Sequence, residues 1–191
     1  MVRVHCQTFI LRSFIESDVK GCIIAVFNDA AAVAVCASAG VGAEVTLTLN
    51  SEEDEPKSEK LVVTGRVQAL SESGTFNGKY GMTKGTKGSL GPSAALAIGG
   101  ITLLIISKRT QCLSADQIEF IGLDPAAARS VVVKSEVHYR AGFAHIFSPD
   151  RIIEVLVPGL TSPDHKTFEF TRMPRPIFPL DSDVTWAPPP P

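Results

Sequence analysis

Apolar residues fall at helical spacing near the start of the chain. Ile10, Leu11, Phe14, Ile15 and Val19 share one stripe, which predicts an amphipathic helix over residues 8–18. Gly21 ends it, and residues 22–27 (CIIAVF) read as a buried strand. Asn28 or Asp29 can cap a second helix over residues 30–39, and Gly40 stands where a helix C′ residue belongs. Strand, cap and helix make one α/β unit.

The pattern then changes period. Residues 44–49 (EVTLTL) and 61–70 (LVVTGRVQAL) alternate apolar and polar and are rich in β-branched side chains, as strands with one solvated face are. The charged stretch between them, SEEDEPKSEK, reads as a solvated turn. Residues 71–93 are glycine-rich and polar, with a short strand expected near Phe76 to Tyr80 and a loop after it. Residues 94–98 and 101–106 are two further strands joined at Gly99-Gly100, a favourable hairpin turn. Residues 43–106 therefore read as an antiparallel β section.

Alternation of strand and helix returns in the last third. Ser114-Ala-Asp-Gln117 fits a capping box, with Ser114 as cap and Gln117 reaching back, ahead of a short helix that ends at Gly122. Residues 130–133 read as a strand buried on both faces, so that Val132→Asp should prevent folding. Ser135 can cap a helix from Glu136 to about Phe147, and residues 151–157 (RIIEVLV) read as one more strand. Pro158, Pro163, Pro174, Pro176, Pro179 and the Pro188–Pro191 run mark an extended arm that ends in a disordered stub. The expected class is α/β with a mixed sheet: a core of largely parallel strands with flanking helices, plus the antiparallel section at about residues 43–106. One domain should span 1–181, with a proline-rich stub at 182–191.

Composition supports a buried core and narrows the partners. Hydrophobic residues make up 45% of the 191 and charged residues 20%, which does not fit disorder. A net charge of −2 provides no basic face, so neither nucleic acid nor an anionic membrane is an expected partner. Cys6, Cys22, Cys36 and Cys112 form no C-x-x-C pair and have apolar neighbours, as buried free thiols do. The N-terminal residues do not read as a signal peptide, and the apolar stretch 94–106 is too short to span a bilayer. A reducing, cytoplasmic setting follows as the expectation.

If the strands at 22–27, 101–106, 130–133 and 151–157 form one largely parallel sheet, their C-terminal ends share an edge, where open α/β sheets bind ligands. The residues after the strands are then the candidates. In VVVKSEVHYR a strand runs straight into an expected helix, so Lys134 and the free N–H groups near Ser135 could take an anion or a carboxylate. Alternatively, Ser135 only caps and Lys134 only solvates the turn. His138 falls one turn later, where a lone helical histidine is more often packed than functional. Arg109 and Gln111 could present a cation to an anion or simply fix their loop. The four histidines have no metal-ligand spacing, and there is no G-x-S-x-G elbow, phosphate loop or dinucleotide fingerprint. No catalytic residue is assigned.

Several phrases, in order, resemble the C-terminal domain of the MlrC (microcystinase C) family: TFILRSFIE (8–16), AGVGAEVTLTL (39–49), VTGRVQALS (63–71), SKRTQ (107–111), GLDPAAARSVVVKSEVHYRAGF (122–143), VPGLTSPD and RMPRPIFPLD (172–181). The resemblance covers roughly residues 8–181. It implies a domain that follows a larger α/β N-terminal domain, and that N-terminal domain supplies the Asp and His zinc ligands of a metallopeptidase. Those ligands have no counterpart here, and Met1 to Gln7 replace the family's Asp-Asn-Pro-Gly-Gly segment. The expectation is a truncated or separately encoded substrate-covering or scaffold domain, inactive alone. It would hold no metal of its own, and zinc would sit only in the N-terminal domain. Its partners would be that domain and a small peptide or carboxylate, and a homo-oligomer is compatible. The alternatives are a stand-alone binding module for small anions or carboxylates and a structural dimerisation domain. Arg109, Gln111, Lys134, Ser135 and His138 are the candidate substrate-binding or domain-interface residues.

Overall fold

The computed structural model describes residues 8–51, 59–135, 137–155, 165–182 and 184–185. In chain order its elements are α1 (Thr8–Glu16), β1 (Cys22–Asn28), α2 (Ala30–Ala39), β2 (Glu44–Leu49), β3 (Leu61–Ser71), β4 (Thr75–Asn77), β5 (Lys87–Ser89), β6 (Ser93–Ile98), β7 (Ile101–Ile106), α3 (Asp116–Glu119), β8 (Ser130–Val133) and α4 (Tyr139–Phe143). Single 3₁₀ turns occupy Gly81–Thr83, Pro149–Arg151 and His165–Thr167. No helix among the described residues is long and apolar enough to cross a membrane.

Six strands form one mixed sheet in the order β2-β3-β6-β7-β1-β8, and β4 and β5 pair as a separate ribbon. The first four strands of the sheet run antiparallel to one another, whereas β1 lies parallel to both β7 and β8. The antiparallel section and the parallel section thus share a single sheet. β2 buries Val45, Leu47 and Leu49 and exposes Glu44, Thr46 and Thr48, because only one of its faces is covered. At the centre, β7 has helices over both faces, and five of its six residues are buried.

Each face of the sheet has its own core. On one side α1 and α2 pack Leu11, Val33 and Cys36 against Leu47, Leu96, Leu103 and Ile105. On the other side α3, α4 and the ribbon pack Phe76, Leu90, Ile118 and Phe143 against Ile23, Leu104 and Ile106. The expected caps of α2 are present: Asp29 Oδ1 accepts from Ala32 N at 2.9 Å, and Gly40 ends the helix at φ 84°. The Gly99-Gly100 hairpin joins β6 to β7 with Ile98 opposite Ile101.

Asp29 has a second role. Its Oδ2 accepts from Asn50 N at 2.9 Å. Asn50 Nδ2 donates to Glu59 O at 3.3 Å, and Thr8 Oγ1 donates to the same oxygen at 2.9 Å. Arg12 pairs with Glu59 at 2.7 Å. The far end of the β2–β3 hairpin is thereby drawn to the start of α1 and the start of α2.

Four expectations from the sequence change. Residues 151–155 form no strand: Arg151 closes a 3₁₀ turn, Ile153 is 85% exposed, and Tyr139 and Arg140 both donate to Glu154 Oε1. Residues 156 and 157 lie outside the described set. The helix expected over 136–147 shrinks to α4, which begins at Tyr139, and Ser135 does not cap it. β8 is an edge strand whose four residues are all half-buried and not buried on both faces, with Val132 packed against the core, so Val132→Asp should weaken the fold rather than prevent it. Only part of the capping box forms. Gln117 Oε1 does accept from Ser114 N at 3.3 Å, but the Ser114 hydroxyl donates to Asp116 instead of capping α3. Most of the stub at 182–191 lies outside the described residues.

Cys22, Cys36 and Cys112 are buried free thiols. Burial pushes all three thiols up, Cys112 to about 12, with Asp29 adding to the shift at Cys36. Because the thiolate is the reactive form, these three should resist alkylation at pH 8 in the folded protein and react only after unfolding. Peptide mapping by mass spectrometry after brief alkylation checks this, and label on Cys112 of the native chain would contradict it.

Candidate functional site

β7, β1 and β8 run in parallel, so their C-terminal ends meet one edge of the sheet. The chain leaves β1 through α2 on one face and leaves β7 through α3 on the other. The β1–β7 boundary is therefore the switch point at which such sheets open a crevice. Here the boundary is stitched closed: Asn28 Nδ2 donates to Ile106 O at 3.2 Å, and Asp29 N donates to the same oxygen at 3.0 Å.

The sequence-chosen residues flank this point. Lys134 and Ser135 follow β8, while Arg109 and Gln111 lie in the loop after β7, two strand spacings or roughly 10 Å across the sheet. Gln111 Nε2 donates to Ser135 Oγ at 3.2 Å and bridges that distance. Lys134 is half-buried and lines a small cleft with Ile10, Ile24, Phe27 and Val132. Arg109 is exposed. His138 is exposed and immediately precedes α4, away from the packed position expected of it. Because α4 has five residues and begins four residues beyond Ser135, it brings no helix N-terminus to Lys134. The cationic groups at this edge are the side chains of Arg109 and Lys134.

Two residues hold this region together: Asp116, which sequence reasoning did not single out, and Gln117, which it expected only to reach back within a capping box. Asp116 is 3% exposed, and its Oδ2 accepts from Lys79 N (3.0 Å), Tyr80 N (3.3 Å), Thr83 Oγ1 (3.1 Å) and Ser114 Oγ (3.0 Å). This carboxyl ties the glycine-rich loop between β4 and β5 to α3, beside the loop's own backbone bonds such as Gly78 N to Thr86 O. The next residue, buried Gln117, accepts from Leu113 N at 2.6 Å and donates to Gln111 O at 3.0 Å. It sets the backbone that carries Gln111 to Ser135. Adjacent side chains of the four-residue α3 thus anchor the two loops that border the edge. The available signal was an acid and an amide in a short helix beside buried Ala115 and Ile118, where a polar group needs a partner.

Glycines allow these segments to cross. A methyl group on Gly142 would come within 1.9 Å of Leu113 O, and one on Gly81 within 2.8 Å of Gly142 N. Tyr80 stacks on His145, with ring centroids 3.6 Å apart. Among the described residues, no three His, Cys, Asp or Glu side chains are grouped so that they could hold a metal ion. The resemblance places its zinc in the N-terminal domain and not among these residues, and no chemical step is assigned through it.

The fold is shared with a solved structure, and the sequence with a known family. The family model for the MlrC C-terminus matches residues 5–172, and the chain belongs to that family. It is similar to Microcystinase C of Sphingomonas sp., at 29% identity over 132 residues, which is 69% of this chain and 25% of that protein. It also matches the crystal structure of a Mesorhizobium sp. BNC1 protein assigned by name as a metallopeptidase. That match has a TM-score of 0.77 and 27% identity, and covers 95% of this chain and 35% of the other. The chain therefore spans about a quarter to a third of the length of these relatives.

Proposed function

We propose that this chain serves as the substrate-covering or scaffold domain of an MlrC-type metal-dependent peptide hydrolase and is inactive alone. In this reading the metal and its ligands belong to the N-terminal part that makes up most of the relatives' length. This domain supplies a cationic edge that takes a peptide carboxylate or holds the interface with that part. The observation that carries the reading is the bridge from Gln111 to Ser135, which ties together the loops that carry Arg109 and Lys134. An ammonium and a guanidinium on one rigid edge favour a carboxylate over a neutral group.

Two measurements test it. Purified chain should carry no stoichiometric zinc and cleave no peptide, and about one tightly held zinc per chain by elemental analysis would sink the reading. Lys134→Ala should weaken carboxylate binding, or association with a separately supplied N-terminal part, and leave the melting temperature almost unchanged. A large drop in melting temperature with binding intact would make Lys134 structural.

A further inference from the structure

From Ala30 to Ala43 the chain carries no charged residue, and its only hydroxyl is that of Ser38. A helix that is apolar all round belongs in a protein interior, where a free amphipathic helix would show a polar outer face. α2 buries Ala32, Val33 and Cys36 against the sheet, yet its outward side is just as apolar. Ala34, Val35, Ser38 and Ala39 line a shallow open depression. Val35 is 47% exposed, and Val41 just beyond the helix is 64% exposed. Small side chains along this face allow another element to approach the helix backbone closely.

The position of this face suggests what covers it. Thr8, where α1 begins, is bonded through Glu59 and Asn50 to Asp29, the cap of α2. The start of α1 is therefore tied to the start of α2. In the relatives most of the chain lies outside the matched region, and the region itself is their C-terminus. We infer that the outer face of α2 is the docking surface for the N-terminal part of an MlrC protein, which would cover Ala34, Val35 and Ser38. The inference rests on the reading of the chain as one domain of a larger hydrolase, and it gives that partner a location.

The test compares one substitution in two proteins. Val35→Asp in this chain should shift the melting temperature by no more than about 2 °C, because the side chain already meets solvent. Aspartate at the structurally equivalent position of the full-length Mesorhizobium protein should lower its melting temperature by roughly 5–10 °C, because there the charge would be buried without a partner. An unaffected full-length protein overturns the inference. So does a strong loss of stability in this chain, which would make the face part of its own core. Sedimentation supplies the third outcome: a dimer of this chain that Val35→Asp dissolves would mean that a second copy covers α2, and the inference fails. None of these failures touches the zinc and Lys134→Ala tests, which judge the domain reading separately.

Discussion

Asp116→Ala is expected to destabilise the domain by about 3–5 kcal/mol, because each buried donor left without an acceptor costs about 1–3 kcal/mol and some of the four will find water. Two of those donors are backbone N–H groups of Lys79 and Tyr80, and two are the hydroxyls of Thr83 and Ser114. For a chain of this length each kcal/mol lowers the melting temperature by roughly 2–4 °C, so a drop of about 6–20 °C should appear by calorimetry. Asp116→Asn can keep its amide oxygen on those four donors and place its NH2 where Oδ1 now has no hydrogen-bond partner, so it should lose less stability than Asp116→Ala. A melting temperature within about 2 °C of the parent for Asp116→Ala would show that the loop holds itself without the carboxyl.

Gly142→Ala should also destabilise, against the direction that helix propensity gives. Alanine within a helix gains about 0.5–1 kcal/mol over glycine. The added methyl, however, would stand 1.9 Å from Leu113 O and 2.6 Å from Ser114 Cα, which are backbone atoms that no rotamer change can move. Overpacking of that kind costs about 1–3 kcal/mol and occasionally more. The net loss should be about 2 kcal/mol, with the Gln111–Ser135 bridge disturbed because Leu113 and Ser114 are pushed aside. Thermal melts decide the sign: a rise in melting temperature would mean that the crossing of α4 over this loop is looser than its geometry indicates.

The features that could be read from the sequence are those set by neighbours along the chain. The alternation of EVTLTL, the Asp29 cap, the Gly40 stop and the Gly99-Gly100 hairpin all act within a few residues, and all are present. RIIEVLV misled because an apolar run carries no information about which edge is open to pair with it. The tie from Arg140 and Tyr139 to Glu154 engages that segment instead. The length of α4 was likewise hidden, since its close crossing with Leu113 comes from residues far apart in sequence. At the candidate site the sequence put Gln111 and Ser135 after strands of one parallel section, and β7 and β8 do run parallel on either side of β1. It could not show that a hydrogen bond joins them, nor that Asp116 rather than a cap is what gives α3 its importance.

The adjacent anchors on α3 have a consequence for how the protein breathes. Loops that border a binding edge usually open independently, each with its own exchange rate. Here the amides of Lys79 and Tyr80 end on Asp116, and the amides of Leu113 and Ser114 end on Gln117. Lifting one turn of helix releases all four together. In deuterium exchange they should behave as one cooperative unit with a shared opening free energy, and denaturant should lower their protection in parallel. Both walls of the edge would then open and close as a single gate.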